Sequence, residues 1–540
     1  MRPGARVAKA TELGYDLKSY LNILTEMMKK PAQERNMSLN RLLIGLEGVQ
    51  VAGDDRVPVP GLAYHSQRVV PGGVFVALKG AKTDGNRFLA QALAQGARIV
   101  VTEEHFEPPA GVTWVQVPQA RLALARMSAA FYGHPSRDLA LVGITGTNGK
   151  TTTSFLLEAI FRAAGHRVGV VGTVNYRVDD KIWPAPVTTP ESLDLQRLLA
   201  EMREMGVSHT ILEVSSHALE QHRVDGASFT AGIFTNLSQD HLDYHQDLNC
   251  YFRAKSRLFL EILVNGAARP GLAVLNLDDP CGRQLHEQIV SPRLSYGHHL
   301  ESTVRPLSYR FQRQGLEALL ITPLGKLPIT SRLVGPYNLS NIMAAAATAL
   351  GLGVDPDAVA AGVAGLSGVP GRLERLGPLE GPSVFVDYAH TPDALAQVVA
   401  ALNTLNFARL ITVFGCGGDR DRTKRPLMGQ AAAQGNRLVV VTSDNPRTED
   451  PLAIIQDIEA GLEAMKYPRL SLAEARRGEQ GYLVAPDRRE AIRLAVDLAQ
   501  RPDAVLVAGK GHEDYQIWGE RKIHFDDREE ALAALKEYKA

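Results

Sequence analysis

The run Leu139-Ala140-Leu141-Val142-Gly143-Ile144-Thr145, continuing as Gly146-Thr147-Asn148-Gly149-Lys150-Thr151-Thr152, decides the reading of this chain. Its first part is an apolar stretch of strand character, the glycines that follow give a tight turn, and Thr151 to Ala164 has helical spacing. Strand, glycine-rich loop and helix in that order make a phosphate-binding loop. Backbone N–H groups and a helix N-terminus face an anion, Lys150 reaches the β and γ oxygens of a nucleotide, and the Thr151 hydroxyl suits Mg²⁺. The match to the Walker pattern is imperfect, because Ile144 stands where the first glycine is expected and Gly146 takes over the tight turn. The bland alternative is a glycine-rich turn with no ligand, and the strand–loop–helix context weighs against it.

Further strands are expected at VGVVG near 170, HTILEV near 211, AGIFTN near 233 and AVLNLD near 275, with helices over 191–205, 251–263 and Asn338 to Leu352. Upstream, VFVAL, FLAQALAQGA and RIVVTE read strand–helix–strand between Val74 and Glu103, closed by a helix from Ala120 to Tyr132. Downstream of the turn Gly368-Val369-Pro370-Gly371, strands SVFVDY, LITVF, RLVVVTS and AVLVAG alternate with helices beginning near Pro392, Pro426, Pro451 and Arg488. The chain is therefore expected to be α/β. Its expected divisions are an N-terminal extension 1–36, a small domain 37–136, a central phosphate-loop domain 137–370 and a doubly wound domain 371–540. Residues 1–36 are of mixed character, and Met37 is an alternative start.

At 540 residues the chain is too long for one core. Lys plus Arg equals Asp plus Glu at 59 each, which removes the electrostatic case for a nucleic-acid or membrane-surface partner and favours small-molecule ligands. Cys250, Cys281 and Cys416 are scattered, so neither a disulfide framework nor a zinc site is expected, and a reducing cytoplasm fits. Arg2 and Arg6 could open a signal peptide, but Glu12, Asp16 and Lys18 interrupt its apolar stretch. No apolar run approaches the ~20 residues a membrane span needs. A monomer without stable membrane association is expected.

A phosphate loop alone does not separate a kinase, an ATPase, a GTPase and a ligase. Here TGTNGKTT is followed by TTP at 188–190, EVSSHAL at 213–219 and TNLSQDHLDYH at 235–245. That series resembles the Mur ligase family, and the resemblance spans nearly the whole chain from about residue 60. It implies three domains: one for a UDP-sugar, a central ATPase with a parallel-rich sheet, and a C-terminal Rossmann-like domain that brings an amino acid. The chain looks most similar to members that add the third residue of the peptidoglycan stem peptide. The implied reaction is ATP-dependent joining of meso-diaminopimelate to UDP-N-acetylmuramoyl-L-Ala-D-Glu through an acyl phosphate.

The resemblance also assigns residues. Gly146, Thr147, Asn148, Gly149, Lys150, Thr151 and Thr152, with Asn338, Asn341, Arg372 and Asp387, are implied ATP contacts. Thr151, Glu213, His241 and Lys255 are implied to hold Mg²⁺, Lys255 as a carbamate formed with CO₂. Such a modification needs a neutral amine, hence a lysine whose pKa has been lowered. Ser66, Thr188, Thr189, Ser215, Gln221 and Arg223 are implied for the UDP-muramoyl peptide, although His65 and Gln67 depart from the family's usual Asp-Ser-Arg. Arg420, Asp444, Asn445, Pro446, Arg447, Gly509 and Glu513 are implied for diaminopimelate. Arg447 is the selector, since its planar fork suits a second carboxylate and has no use for the ammonium of lysine. Taken singly, each has an ordinary reading: Lys255 as a solvated helix lysine, His241 as a loop histidine, Asn338 as a helix cap, Arg447 as a surface arginine. A lysine-adding Mur ligase, a folylpolyglutamate synthase, a non-catalytic nucleotide-binding relative and a kinase are the alternatives. The strings DNPR and HSQRV argue against the first two, and the joint presence of Lys150, Glu213, His241 and Lys255 argues against the third.

Overall fold

Three sheets, each with its own apolar core, follow one another along the chain. The computed structural model describes residues 37–538 apart from 81–82, 106, 241, 266–269 and 378–380. The first sheet has five strands in the order Gln50–Ala52, Thr113–Gln116, Ile99–Thr102, Val74–Val76 and Leu62–Ala63, parallel except for the first. Val74, Val76, Ile99, Val101 and Val115 pack from it against Ala123, Leu124 and Met127 of the helix Ala120–Phe131.

The second sheet has eight strands and positions the phosphate loop. Six run parallel in the order Val168–Val171, His209–Glu213, Ala140–Thr145, Ala231–Phe234, Leu272–Asn276, Arg293–Tyr296. A hairpin, Asn175–Val178 with Lys181–Pro184, adds two antiparallel strands at one edge. Ala140–Thr145 lies in the middle, buried on both faces. This explains why it reads as a continuous apolar run and not as an alternation. The helix Lys150–Ala163 covers one face and turns Leu156, Leu157, Ile160 and Phe161 onto it.

An antiparallel meander, Arg305–Gln312, Gly315–Thr322 and Gly325–Ser331, comes next. Nothing in the sequence reading anticipates it. The third sheet has one antiparallel edge strand, Glu374–Leu376, and five parallel strands in the order Ser383–Asp387, Ala504–Ala508, Leu410–Phe414, Leu438–Val441 and Gly481–Val484. Helices on both faces make it doubly wound, as expected. Across the central and third sheets several helices begin where an acid or hydroxyl accepts from the first-turn backbone N–H groups: Asp247, Asp279, Thr391, Asp450 and Asp487. No helix among the described residues is long and apolar enough to cross a membrane.

Candidate active site

The loop after Ala140–Thr145 is tightened by backbone demands that only glycine meets. Gly146 has φ +144°, and a Cβ there would stand 1.9 Å from Thr235 Oγ1; Gly149 has φ +88°, and a Cβ there would stand 2.4 Å from Asn341 Oδ1. Gly146 therefore does take the tight-turn role. The neighbouring strand's end braces the loop, Asn236 Oδ1 accepting from Asn148 N (2.9 Å) and Thr235 Oγ1 donating to Asn148 O (2.6 Å).

Two lysines converge on this loop. Lys150 Nζ donates to the carbonyls of Gly146 (2.8 Å) and Thr147 (2.9 Å), folding back over the space where a phosphate would lie. Lys255 Nζ donates to the same Gly146 carbonyl (3.0 Å) and sits over the Tyr251 ring. Lys255 is 1 % exposed. Burial, reinforced by repulsion from Lys150, drives its amine well below the ordinary lysine range. Burial lowers Lys150 too, against the opposing pull of Glu213 and Asp240.

Glu213 ends its strand at the loop's flank and is 1 % exposed. It accepts from Thr151 Oγ1 (3.1 Å), Thr173 Oγ1 (2.8 Å) and Thr173 N (3.1 Å). A buried carboxylate surrounded by hydroxyls is a set of hard oxygen donors suited to Mg²⁺, which keeps its remaining positions for water and phosphate. Among the described residues there is no cluster of three His, Cys, Asp or Glu that could hold a metal. His241 lies outside the described residues.

The hydroxyl row expected to hold the muramoyl peptide is assembled next to Glu213. Thr188 Oγ1 meets Thr173 Oγ1 (3.1 Å), and Thr189 Oγ1 donates to Glu213 O (2.8 Å) and lies 3.3 Å from Ser215 Oγ. Arg223 donates to Thr189 O (3.0 Å) and to Gln221 Oε1 (2.7 Å). Ser66 stands apart, buried in the first domain with its hydroxyl on Gln91 (2.8 Å). Neighbouring Tyr64 bridges to the central domain through Asp194 (2.6 Å).

The domain boundary is crossed at the same loop. Arg372 donates to Thr151 Oγ1 (3.3 Å) and stacks over Tyr388. Asp387 is buried, and burial raises its carboxyl; it accepts from Leu373 N (2.6 Å) and Ala389 N (2.8 Å), which fixes the segment carrying Arg372. Asn338 is also buried, with its amide spent on Val334 O (2.7 Å) and Asn341 (3.0 Å), so it braces the start of the helix Pro336–Gly351.

In the third sheet the remaining residues collect at the C-terminal strand ends, where doubly wound sheets bind ligands. Asp444 and Asn445 follow Leu438–Val441, Gly509 follows Ala504–Ala508, and Arg420 follows Leu410–Phe414. Asn445 Nδ2 donates to Glu513 Oε2 (3.2 Å), and Gly509 has φ +118° with room for a Cβ only 3.3 Å from Asp444 Oδ2. Arg447, at φ +53°, donates through NH1 to Gly418 O (2.7 Å) in the loop that also carries Arg420. A Cβ on Gly417 would stand 2.8 Å from Arg447 NH1 and 3.8 Å from Arg420 Cγ, so the two arginines flank one glycine. Pro446 O lies 1.9 Å from where a Gly418 Cβ would be, another close approach in the same turn.

Sequence reasoning missed Lys510, Tyr388 and His512. Lys510 is fully buried, with Nζ 3.0 Å from Glu513 Oε2 and 3.6 Å from Asp444 Oδ1. Its position inside AGKGHE, between two residues already singled out, was the only available signal. Tyr388 joins the two halves. Its hydroxyl is raised by burial and then by Glu513, Asp444 and Asp240, charges that belong to both sites. His512, pushed down to about 3 chiefly by burial, packs against Tyr388 as a neutral ring.

Sequence profiles cover the three parts of the chain: Mur ligase family, catalytic domain, over 58–132; Mur ligase middle domain over 144–349; and Mur ligase, glutamate ligase domain, over 371–511. A UDP-N-acetylmuramoyl-L-alanyl-D-glutamate--2,6-diaminopimelate ligase of Geobacter metallireducens is 48% identical over 504 residues, which span 93% of this chain and 99% of the relative. The chain belongs to the Mur ligase family. A second such ligase of the family, from Geobacillus thermodenitrificans, is 43% identical over 93% of this chain and 100% of its own length. Among solved structures, one titled for the same diaminopimelate ligase superposes with a TM-score of 0.67 at 34% identity, covering 93% of this chain and 99% of the other. A MurF from Acinetobacter baumannii superposes at 0.61 with 20% identity over 88% and 96%, a likeness of fold.

Proposed function

We propose that this Mur ligase joins meso-diaminopimelate to the D-Glu carboxylate of UDP-N-acetylmuramoyl-L-Ala-D-Glu at the expense of ATP, in peptidoglycan biosynthesis. The observation that carries the reading is the continuity of the two sites. Arg372 touches Thr151 of the phosphate loop, and Tyr388 feels charges from both Asp240 and the Asp444–Glu513 pair. A ligase needs this arrangement, because a carboxylate activated at the phosphate loop must meet an amine held by another domain. The relatives named above support the same substrates.

On this reading residues 37–136 receive the UDP-sugar, 137–370 ATP and 371–540 the amino acid. A D-Glu carboxylate oxygen attacks the γ-phosphorus, the bond to ADP breaks, and an acyl phosphate forms. The amine then attacks the carbonyl, the C–O bond to phosphate breaks, and the amine's proton leaves. Residues 146–152, with Asn338, Arg372 and Asp387, serve ATP; Lys150 exchanges its two carbonyl partners for phosphate oxygens. Thr151 and Glu213, with His241 and a carbamylated Lys255, would hold Mg²⁺, which supplies neutralisation of the charge gathering on phosphate. A neutral Lys255 amine is the form that adds CO₂, and its depressed pKa supports that role. Ser66, Thr188, Thr189, Ser215, Gln221 and Arg223 take the UDP-muramoyl peptide. Arg420, Asp444 to Arg447, Gly509 and Glu513 take diaminopimelate, the carboxylates receiving its ammonium and the arginines its far carboxylate. Only NH1 of Arg447 is bonded among the described residues, so the rest of the fork is free for substrate.

The test is phosphate release. ADP and phosphate should appear only when UDP-MurNAc-L-Ala-D-Glu and diaminopimelate are both present. Equal release from ATP alone would contradict a ligase.

A further inference from the structure

Buried arginines in this protein are answered by acids. Arg177 pairs with Glu158, Arg409 with Asp503, Arg425 with Glu449 and Asp457, and Arg488 with Asp527. A second group is less buried, with Arg313 and Arg375 half-buried and Arg501 exposed. Arg313, in the first turn of the antiparallel meander, Arg375, on the edge strand Glu374–Leu376, and Arg501, just before the strand Ala504–Ala508, line a single cleft of about 170 Å³ together with Ser383 and Phe407. Among the described residues none of the three is in an ion pair. Of the acids nearby in sequence, Asp503 accepts from Arg409 Nε (2.9 Å) and NH2 (2.6 Å) and Glu374 accepts from Gly371 N (2.7 Å), while Glu380, next to the lining residue Gly381, lies outside the described residues.

The guanidinium groups of Arg313 and Arg375 are held but not fully satisfied. Arg313 is fixed from the C-terminal domain, donating to the carbonyls of Leu405 (3.1 Å) and Asn406 and stacking over the Phe407 ring at 4.9 Å. Arg375 makes only long bonds, to Arg313 O (3.4 Å) and Ser383 Oγ (3.3 Å), and its Nε is buried without an acceptor. A buried donor left without an acceptor is a standing cost. Arg375 is lowered by burial and then by repulsion from Arg313, with no acid opposing. Arg313 and Arg375, which repel each other, with Arg501 beside them and no acid lining the cleft among the described residues, match a multivalent oxyanion, which guanidinium binds in bidentate fashion.

We propose that this cleft binds a small oxyanion of the phosphate type. At about 170 Å³ and open to solvent, it has room for inorganic phosphate or pyrophosphate. Arg313 comes from the meander that precedes the third sheet, whereas Arg375 and Arg501 belong to that sheet, so a bound anion ties the two bodies together. The site shares no residue with the phosphate loop and does not depend on the ligase reading.

The experiment measures binding of inorganic phosphate and of pyrophosphate to the full chain by calorimetry, together with the rise of the unfolding midpoint that each anion causes. Wild type, Lys150→Ala, Arg375→Gln and Arg501→Gln are compared. Arg501 is exposed, so its variant keeps the fold even if Arg375→Gln does not. Binding that persists in Lys150→Ala and weakens at least tenfold in Arg501→Gln and in any folded Arg375→Gln is the expected result, with the midpoint rise lost in parallel. A tighter grip on pyrophosphate than on phosphate would identify a diphosphoryl ligand, and equal grips a single phosphoryl group. Affinity unchanged within twofold in Arg501→Gln, or no binding by wild type, would overturn the proposal.

Discussion

Lys255 and Lys510 are equally hidden, 1 % and 0 % exposed, yet their surroundings treat them in opposite ways. Lys255 has a backbone carbonyl, an aromatic face and another lysine around it, so burial and repulsion disfavour its charge. Lys510 lies between Asp444 and Glu513, its Nζ 3.6 Å and 3.0 Å from their carboxylates. Burial alone therefore does not fix the state of a lysine; its neighbours do. The central site holds an amine whose charge is disfavoured. The C-terminal site instead places its buried lysine in an ion-paired cluster with two carboxylates.

The largest effect expected lies outside the pair, at the lysine that repels Lys255. Lys150→Ala should lower phosphate release by about 10³-fold or more, since it removes a cation aimed at developing phosphate charge. Lys255→Met should lower kcat by roughly 10²-fold or more, while bicarbonate should raise the activity of wild type only. The two lysines should then part on stability. Methionine for Lys255 removes an unfavourable buried amine, so urea titration should find the variant as stable as wild type or more so. Methionine for Lys510 strands two carboxylates, for which breaking a buried pair typically costs about 3–5 kcal/mol.

The pH dependence follows from the sign of the Lys255 shift. Its folded pKa lies well below the ordinary lysine value, so between the two the unfolded chain binds more protons and stability rises with pH. The stability gap between Lys255→Met and wild type should narrow as pH climbs toward that value. A gap that is flat in pH would mean that Lys255 is not depressed. Smaller again, Arg447→Ala should raise the KM for diaminopimelate roughly 10- to 100-fold, the worth of one charged hydrogen-bonded contact, and leave the KM for ATP in place.

Much of this was legible in the chain. An apolar run entering TGTNGKT needs a buried central strand and a left-handed turn, and both are present. The strand ends carrying Asp387 and Asp444 could be placed because parallel strands read as unbroken apolar stretches. The meander could not. Arg305–Gln312 has no buried residue, and Gly325–Ser331 carries a proline and a lysine, so neither shows a clean apolar pattern. Lys510 escaped because a lysine between glycines looks solvated until the fold brings Asp444, sixty-six positions earlier, beside it. Asn338, expected among the ATP contacts, also braces the start of its helix through Val334 O and Asn341, a role that shows only once the helix is formed.

The most direct test of the central claim is the mass of the product formed from ATP, Mg²⁺, bicarbonate and UDP-MurNAc-L-Ala-D-Glu with either meso-diaminopimelate or L-lysine. The account expects the diaminopimelate adduct alone. A lysine adduct of comparable yield would contradict the role given to Arg447, and a stable phosphorylated substrate with no adduct would contradict the ligase.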